Sequence, residues 1–299
     1  MKTALLLYNP EAGRGRIGKN LDRIVAIFRG CDYLLTPQEI DFERDPFAGI
    51  SPPELVVVAG GDGTVNYVVN RMKQRGLDLQ LGIIPAGTAN DFAGALGMSH
   101  DPLEAARQIL AGEETRIDCG RVNDLYFINI FSFGIFTTTS QRTPNERKHR
   151  IGKLAYIIEG VKEFRTMHAV PLQVRADGRS FDLNSLMVLV FNGETAGGFH
   201  LARRSSVRDG MFDVVMLEKR NFLSSTLAMG RYLLGGNPRI VHRLRVQNLE
   251  IESTINEPTD VDGQPGAQFP LRIECLAGEL RIRCPKEDDH TIKKCEEDK

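Results

Sequence analysis

The sequence predicts an α/β domain on a parallel sheet over residues 1–122, then a mostly antiparallel β-sandwich domain over 123–285 and a charged tail at 286–299. Three observations predict it. Short apolar strands alternate with amphipathic helices through the first 120 residues, the pattern of a parallel sheet covered on both faces. After residue 122 the rhythm changes to short, often alternating segments divided by Gly, Asp or Asn, as in a sandwich or barrel. A chain of 299 residues, 41% hydrophobic and 26% charged, suits two soluble globular domains.

The elements follow in order. TALLLYN (3–9) reads as a strand, and IGKNLDRIVAIFRG (17–30) has apolar positions at helical spacing closed by Gly30. CDYLLT is a short strand and ELVVVA (54–59) a central one, with the helix that follows read from Val65 into NYVVNRMKQRG (66–76). LQLGIIPAG is another strand and DPLEAARQILAG another helix. In the second part, GKLAYIIEGVKEFRTM and SSTLAMGRYLLGG read as helices. AVPLQVRADGRSFDL, SLMVLVFNG, FDVVML, LRVQNLEIEST, FPLRIECL and ELRIRC read as strands.

Composition excludes several classes. A net charge of −1 gives no general reason to bind nucleic acid. No apolar run reaches the eighteen or so residues of a membrane span. The N-terminus turns polar too soon for a signal peptide, so the chain reads as cytoplasmic. Five scattered cysteines and six dispersed histidines fit neither a disulfide framework nor a zinc site.

Each clear strand of the first half runs into an unusual loop: Asn9 to Arg16, Gly60-Gly61-Asp62-Gly63-Thr64, and Ala86 to Asp91. In a parallel sheet all three converge on the carboxyl edge, where ligands bind. Gly13, Gly15 and Gly18 form a literal G-x-G-x-x-G, but Asn9 to Ala12 separate it from the strand, so the dinucleotide reading fails; no P-loop pattern is present. The glycines around Asp62 let backbone approach a polyphosphate. A carboxylate there would repel phosphate unless a divalent cation stood between them, so Asp62 reads as a metal- or nucleophile-positioning group in phosphoryl transfer. The plainer reading is a helix cap, a task open equally to Thr64. Thr88 and Asn90 offer a hydroxyl and an amide to phosphate or ribose, and Asp91 falls in a helix first turn. Arg14, Arg16 and Lys19 offer positive charge.

At NPEAGRGR (9–16), GGDGTVNYVVN (60–70), GIIPAGTANDFA (82–93), GGFHLARRSSVRDGMFDVVML (197–217) and VDGQPG (261–266), the chain resembles the diacylglycerol kinase catalytic-domain family. That family includes bacterial lipid kinases and sphingosine kinases, and the GGDG turn is more distantly similar to NAD kinases and phosphofructokinases. The resemblance implies ATP and a lipid substrate meeting between an α/β nucleotide domain and a β-sandwich-like domain. It implies that Asn9, Gly13, Arg14, Gly60, Gly61, Gly63 and Thr64 hold ATP phosphates, with Thr88 and Asn90 completing the site. Asp62 would serve Mg-ATP or the acceptor hydroxyl. Asp209 and Asp213 match positions that hold a structural Mg²⁺ in some relatives, although DGMFD alone reads as a turn entering a strand.

Two positions depart from the family pattern. Tyr67 stands where a glutamate is usual, and Asp262-Gly263-Gln264 replaces D-G-E, whose glutamate is a candidate general base. Gln264 can orient a hydroxyl but cannot take its proton, and base assistance is worth about 10²–10⁴-fold. Asp262 or Asp62 would then be the base; otherwise the chain binds nucleotide or lipid without efficient turnover. A kinase for a soluble acceptor such as NAD is a further reading.

A lipid acceptor implies transient contact with a membrane surface. The basic run Arg142 to Arg150 with Lys153, and RIVHRLR (239–245), are candidates for that contact or are ordinary solvated faces. The apolar stretch from Phe127 to Phe136 would line an acyl pocket or form a core strand. A homo-oligomer is neither signalled nor excluded.

Overall fold

The computed structural model describes residues 1–134, 168–196, 199–202 and 205–286. The expected helix at 152–167, the basic run at 142–150 with Lys153, the end of the 127–136 stretch and the tail beyond Lys286 lie outside the described residues. So do Gly197, Gly198, Arg203, Arg204 and the side chain of Arg14.

The chain forms two compact units, Met1–Ile117 with the segment from Leu280 onward, and Asp118–Glu279. In the first, β1 (Lys2–Tyr8) leads through a 3₁₀ turn (Ala12–Gly15) into α1 (Arg16–Arg29) and β2 (Tyr33–Glu39). Then come β3 (Leu55–Gly60), α2 (Asp62–Gln74), β4 (Gln80–Pro85), α3 (Asp91–Ala95), α4 (Pro102–Ala111) and the start of β5 (Glu113–Val122). β1 pairs in parallel with β2 on one side and β3 on the other, and β3 pairs in parallel with β4. β3 is buried at every position, which explains its unbroken apolar run. β2, at the end of this order, accommodates Pro37, which a central strand would not. α1 buries Ile17, Ile24 and Phe28, one helical stripe. Pro102 follows the capping Asp101 at the start of α4.

The second unit contains the rest of β5, then β6 (Leu125–Phe127), β7 (Ile130–Gly134), β8 (Val170–Ala176) and β9 (Arg179–Phe191). β10 (Thr195–Ala196), β11 (Phe199–His200), β12 (Phe212–Glu218), α5 (Phe222–Leu233), β13 (Val241–Val246) and β14 (Asn248–Ser253) follow. β15 (Thr259–Val261), β16 (Gln264–Pro265) and β17 (Leu271–Cys284) complete it. β9 organises the unit: its first half pairs antiparallel with β8, its second half with β7 and β12. Val188 and Val190 face one core with Phe212, Val214 and Met216. Met187, Leu189 and Phe191 face another with Val215 and Leu217, covered by Ala228, Met229 and Tyr232 of α5. Two buried faces make this strand read as continuously apolar.

Four local expectations are corrected. AVPLQVRADGRSFDL is two strands, β8 and the start of β9, divided by Asp177-Gly178 at φ +43° and +81°, and β9 runs on through most of SLMVLVFNG. α2 begins at Asp62, not at Val65, because Gly61 is the extended N-cap and its carbonyl accepts from Thr64 and Val65. LRVQNLEIEST is two strands, divided where the Asp177 carboxylate accepts the N–H groups of Gln247 and Asn248. FPLRIECL and ELRIRC form one strand, β17, whose end returns to the first unit and pairs in parallel with β4 through Arg281 and Ile282. There Arg283 donates to the carbonyls of Leu110 and Gly112, closing the carboxyl end of α4.

Candidate functional site

In the first unit the strand order β2-β1-β3-β4 reverses direction at β1, so the loops after β1 and β3 flank a topological switch point. Backbone bonds tie these ends together: Asn9 N–H to the Ala59 carbonyl at 3.1 Å and Ala86 N–H to the Gly60 carbonyl at 2.8 Å. The glycines are required by contact. A Cβ on Gly87 would lie 2.4 Å from the Gly61 Cα, and one on Gly13, at φ +58°, would lie 2.9 Å from the Ala86 carbonyl oxygen. Three loops therefore close into one surface, bringing together Asn9, Gly13, Gly60, Gly61, Asp62, Gly63, Thr64, Thr88 and Asn90.

Their side chains divide by task. Asn9 accepts the Glu11 N–H at 3.0 Å. Asn90 accepts from the Gly87 N–H at 2.8 Å and donates to the Gly87 carbonyl at 3.0 Å, folding its own loop at φ +53°. Thr88 is exposed, whereas Thr64 is buried against Gly60. Arg16 reaches the His100 carbonyl at 3.3 Å, and Lys19 is exposed. The Asp62 carboxylate accepts the N–H groups of Asp91 at 3.2 Å and Phe92 at 3.0 Å. It caps α3 from another helix rather than its own, and so locks the second loop to the third.

The helix starts differ accordingly. Asp101 caps α4 by accepting from Leu103 and Glu104, and Asn221 caps α5 by accepting from Ser224. No N-cap side chain does this for α1 or α2, whose N-caps are Gly15 and Gly61. Helix first turns present backbone N–H donors that lack intrahelical partners. At α1 and α2 these donors stand at the carboxyl edge of the sheet, a suitable cradle for an anion such as phosphate. Tyr67 takes no part in it: its hydroxyl donates to the Arg44 carbonyl, with Phe42 and Arg71 packed on its ring.

In the second unit, Asp262 and Gly263 form the two-residue turn joining β15 to β16, with φ values of +49° and +86°. Two positive φ angles are those of a type I′ hairpin, which Asp-Gly favours. The Asp262 carboxylate accepts three backbone N–H groups, from Ile128 at 2.6 Å, Asn129 at 3.0 Å and Ile130 at 2.8 Å. Gln264 is exposed on β16.

Asp209 accepts the Met211 N–H at 3.1 Å with one oxygen and pairs with Arg245 at 2.7 Å through the other. Burial pushes the Asp213 carboxyl above its ordinary range, opposed by the neighbouring Ser205 hydroxyl and by the charge of Arg245. Sequence reading missed Asp118, which is buried and accepts the N–H groups of Gly210 at 2.7 Å and Gly278 at 2.8 Å. An acid inside the apolar strand RIDCG was its one local signal. Burial, with Asp118 and Asp209 nearby, pushes the Cys275 thiol up to about 12. Among the described residues no three His, Cys, Asp or Glu side chains are grouped to hold a metal. With Asp209 matched to an internal guanidinium, the Asp209 and Asp213 side chains as placed do not fit a resident Mg²⁺.

Comparison with known proteins gives a consistent result. The profile of the diacylglycerol kinase catalytic domain matches residues 3–122, and that of the YegS C-terminal NAD kinase beta sandwich-like domain matches 129–284. The chain is 32% identical over 296 residues to a diacylglycerol kinase of Bacillus subtilis (strain 168), covering 96% of this chain and 98% of that one. It is 28% identical over 297 residues to a diacylglycerol kinase of Staphylococcus haemolyticus, covering 96% and 89%. A crystal structure described as a diacylglycerol kinase from Bacillus anthracis strain Sterne superposes with a TM-score of 0.77 at 26% identity, covering 95% of this chain and 98% of that one. Among the described residues no helix is long and apolar enough to cross a membrane.

Proposed function

Because the chain belongs to the diacylglycerol kinase catalytic-domain family of lipid kinases, we propose that it transfers the γ-phosphoryl group of ATP, bound with Mg²⁺, to the hydroxyl of a diacylglycerol-class lipid. The observation that carries this reading is the pair of helix starts at Gly15 and Gly61, both without a capping side chain, at the strand-order reversal. ATP phosphates take the donors at those two starts, with Asn9, Gly13, Arg14 and the Gly60–Thr64 turn around them and Thr88 and Asn90 completing the site. Asp62 holds that turn against α3.

Gln264 cannot act as a base, and Asp262 spends its oxygens on the backbone of 128–130. Transfer therefore relies on positioning and charge, as a loose phosphoryl-transfer transition state allows. The enzyme works from the cytoplasm and touches the bilayer transiently.

The test is label transfer from γ-labelled ATP with Mg²⁺ into diacylglycerol in mixed micelles, with ceramide, sphingosine and NAD as competing acceptors. Label should enter diacylglycerol and fall by about 10²-fold or more in Asp62→Asn. Measurable Mg-ATP binding with no transfer to any lipid would leave a binding protein or a kinase for a soluble acceptor.

A further inference from the structure

The second unit carries an apolar surface that its own core does not use. α5 buries Ser225, Ala228, Met229 and Tyr232. At about 100° per residue, Leu223, Leu227 and Leu234 fall within about 40° of one another on the opposite side. They are 75%, 64% and 87% exposed, and Phe222 at the start of the same helix is 46% exposed. The other large exposed hydrophobics among the described residues, such as Leu34 and Ile255, lie outside this segment. Single exposed leucines are ordinary, whereas a row on one helix marks an interaction surface.

The charge around this row has one sign. The stretch from Lys219 to Leu249 contains six Lys and Arg residues and no Asp or Glu. Arg220 pairs with Glu218 at 2.8 Å and Arg245 with Asp209 at 2.7 Å. Lys219, Arg231 and Arg239 are exposed and form no ion pair among the described residues, while Arg243, also exposed, acts on the Asp213 charge. The Arg243 guanidinium lies 6.0 Å from the Tyr232 ring, which places it beside α5. A second copy docked across a twofold axis would set these cations against the same cations. An anionic bilayer instead complements both the leucine row and its basic rim.

We propose that the outer face of α5 docks the protein on an anionic membrane surface, with Leu223, Leu227 and Leu234 entering the acyl boundary and Arg231, Arg239 and Arg243 meeting lipid phosphates. The inference rests on the lipid-acceptor reading above, since an enzyme working on bilayer lipid needs such a dock.

The chain has no tryptophan, so Leu227→Trp introduces a sole indole reporter. With vesicles of equal phosphatidylglycerol and phosphatidylcholine, its emission should shift to the blue and be quenched by brominated acyl chains. Leu34→Trp, on β2 of the first unit, should do neither. The double variant Leu223→Glu/Leu227→Glu should lose at least about tenfold in vesicle co-sedimentation. It should phosphorylate a short-chain, water-soluble diacylglycerol within about twofold of the parent protein, because α5 contributes no residue to the phosphate cradle. Arg231→Glu/Arg239→Glu, which leaves the leucines in place, should lose binding to anionic vesicles as well.

Unshifted emission at position 227, or vesicle binding that survives both double variants, overturns the proposal. So does a dimer that the leucine variant dissociates while vesicle binding persists. Vesicle binding through α5 without transfer to any diacylglycerol would support the dock and reject the kinase reading; transfer with normal vesicle binding by both variants would do the reverse.

Discussion

The carboxyl edge of the first unit and the turns of the second unit use backbone N–H groups in opposite ways. In the second unit aspartates consume them: Asp262 takes three, Asp118 two and Asp177 two. At the carboxyl edge of the first unit the starts of α1 and α2 have glycine N-caps and no capping side chain. Asp62 stands between these cases, taking two donors from α3 while lying in the first turn of α2. An aspartate that consumes N–H groups holds a loop in place, whereas a glycine N-cap, with no side chain to consume them, can admit an anion. Four further substitutions break or sharpen this contrast.

The largest expected effect is at Asp262. Replacing it with alanine orphans three N–H groups, and leaving a partly buried donor unsatisfied costs about 1–3 kcal/mol. Asp262→Ala should lose about 3 kcal/mol in urea denaturation, with residual transfer activity in the folded fraction. Unchanged stability with a collapse in kcat would instead make Asp262 the base. Next is Gly87→Ala, whose methyl group would enter the Gly61 backbone. It should destabilise by about 2 kcal/mol and weaken Mg-ATP binding, read by calorimetry, because it parts the second loop from the third.

Gln264→Glu should have a smaller effect. If positioning dominates, kcat rises by at most about tenfold; a gain of 10²–10⁴-fold would show that the missing base limits turnover. The smallest effect concerns pH. Burial raises the Asp213 carboxyl, against Ser205 and Arg245, so the folded chain binds that proton more tightly than the unfolded chain. Its stabilising contribution is present below the ordinary aspartate pKa and is lost as pH rises through the raised value. Asp213→Asn should therefore flatten the decline in denaturation midpoint as pH rises above the ordinary aspartate range; an unchanged slope would rule this group out.

Features set by near neighbours in sequence were legible. The buried runs of β1, β3 and β4 and the Asp101-Pro102 start of α4 each follow from spacing or capping chemistry within a few residues. The glycine loops at the sheet edge were legible for the same reason. What escaped was set by distant partners. Asp62 reaches donors 29 and 30 residues away, and Asp118 reaches donors 92 and 160 residues away. No local pattern encodes which N–H a carboxylate meets at that range. The start of α2 moved from Val65 to Asp62 because the extended ψ of Gly61, which decides it, follows from the packing against Gly87. β17 joins two segments because Arg281 and Ile282 extend the first sheet beside Gln80 and Leu81 of β4, partners far away in sequence.

On the proposed reading, the starts of α1 and α2, which have no capping side chain, serve nucleotide phosphates. Amide hydrogen exchange with and without Mg-ATP, read peptide by peptide, tests it most directly. Peptides covering residues 9–19 and 60–66 should gain protection, while those covering the side-chain-capped starts of α4 and α5 should not change. Protection confined to residues 205–215, with none at 9–19 and 60–66, would place the nucleotide elsewhere and contradict the claim.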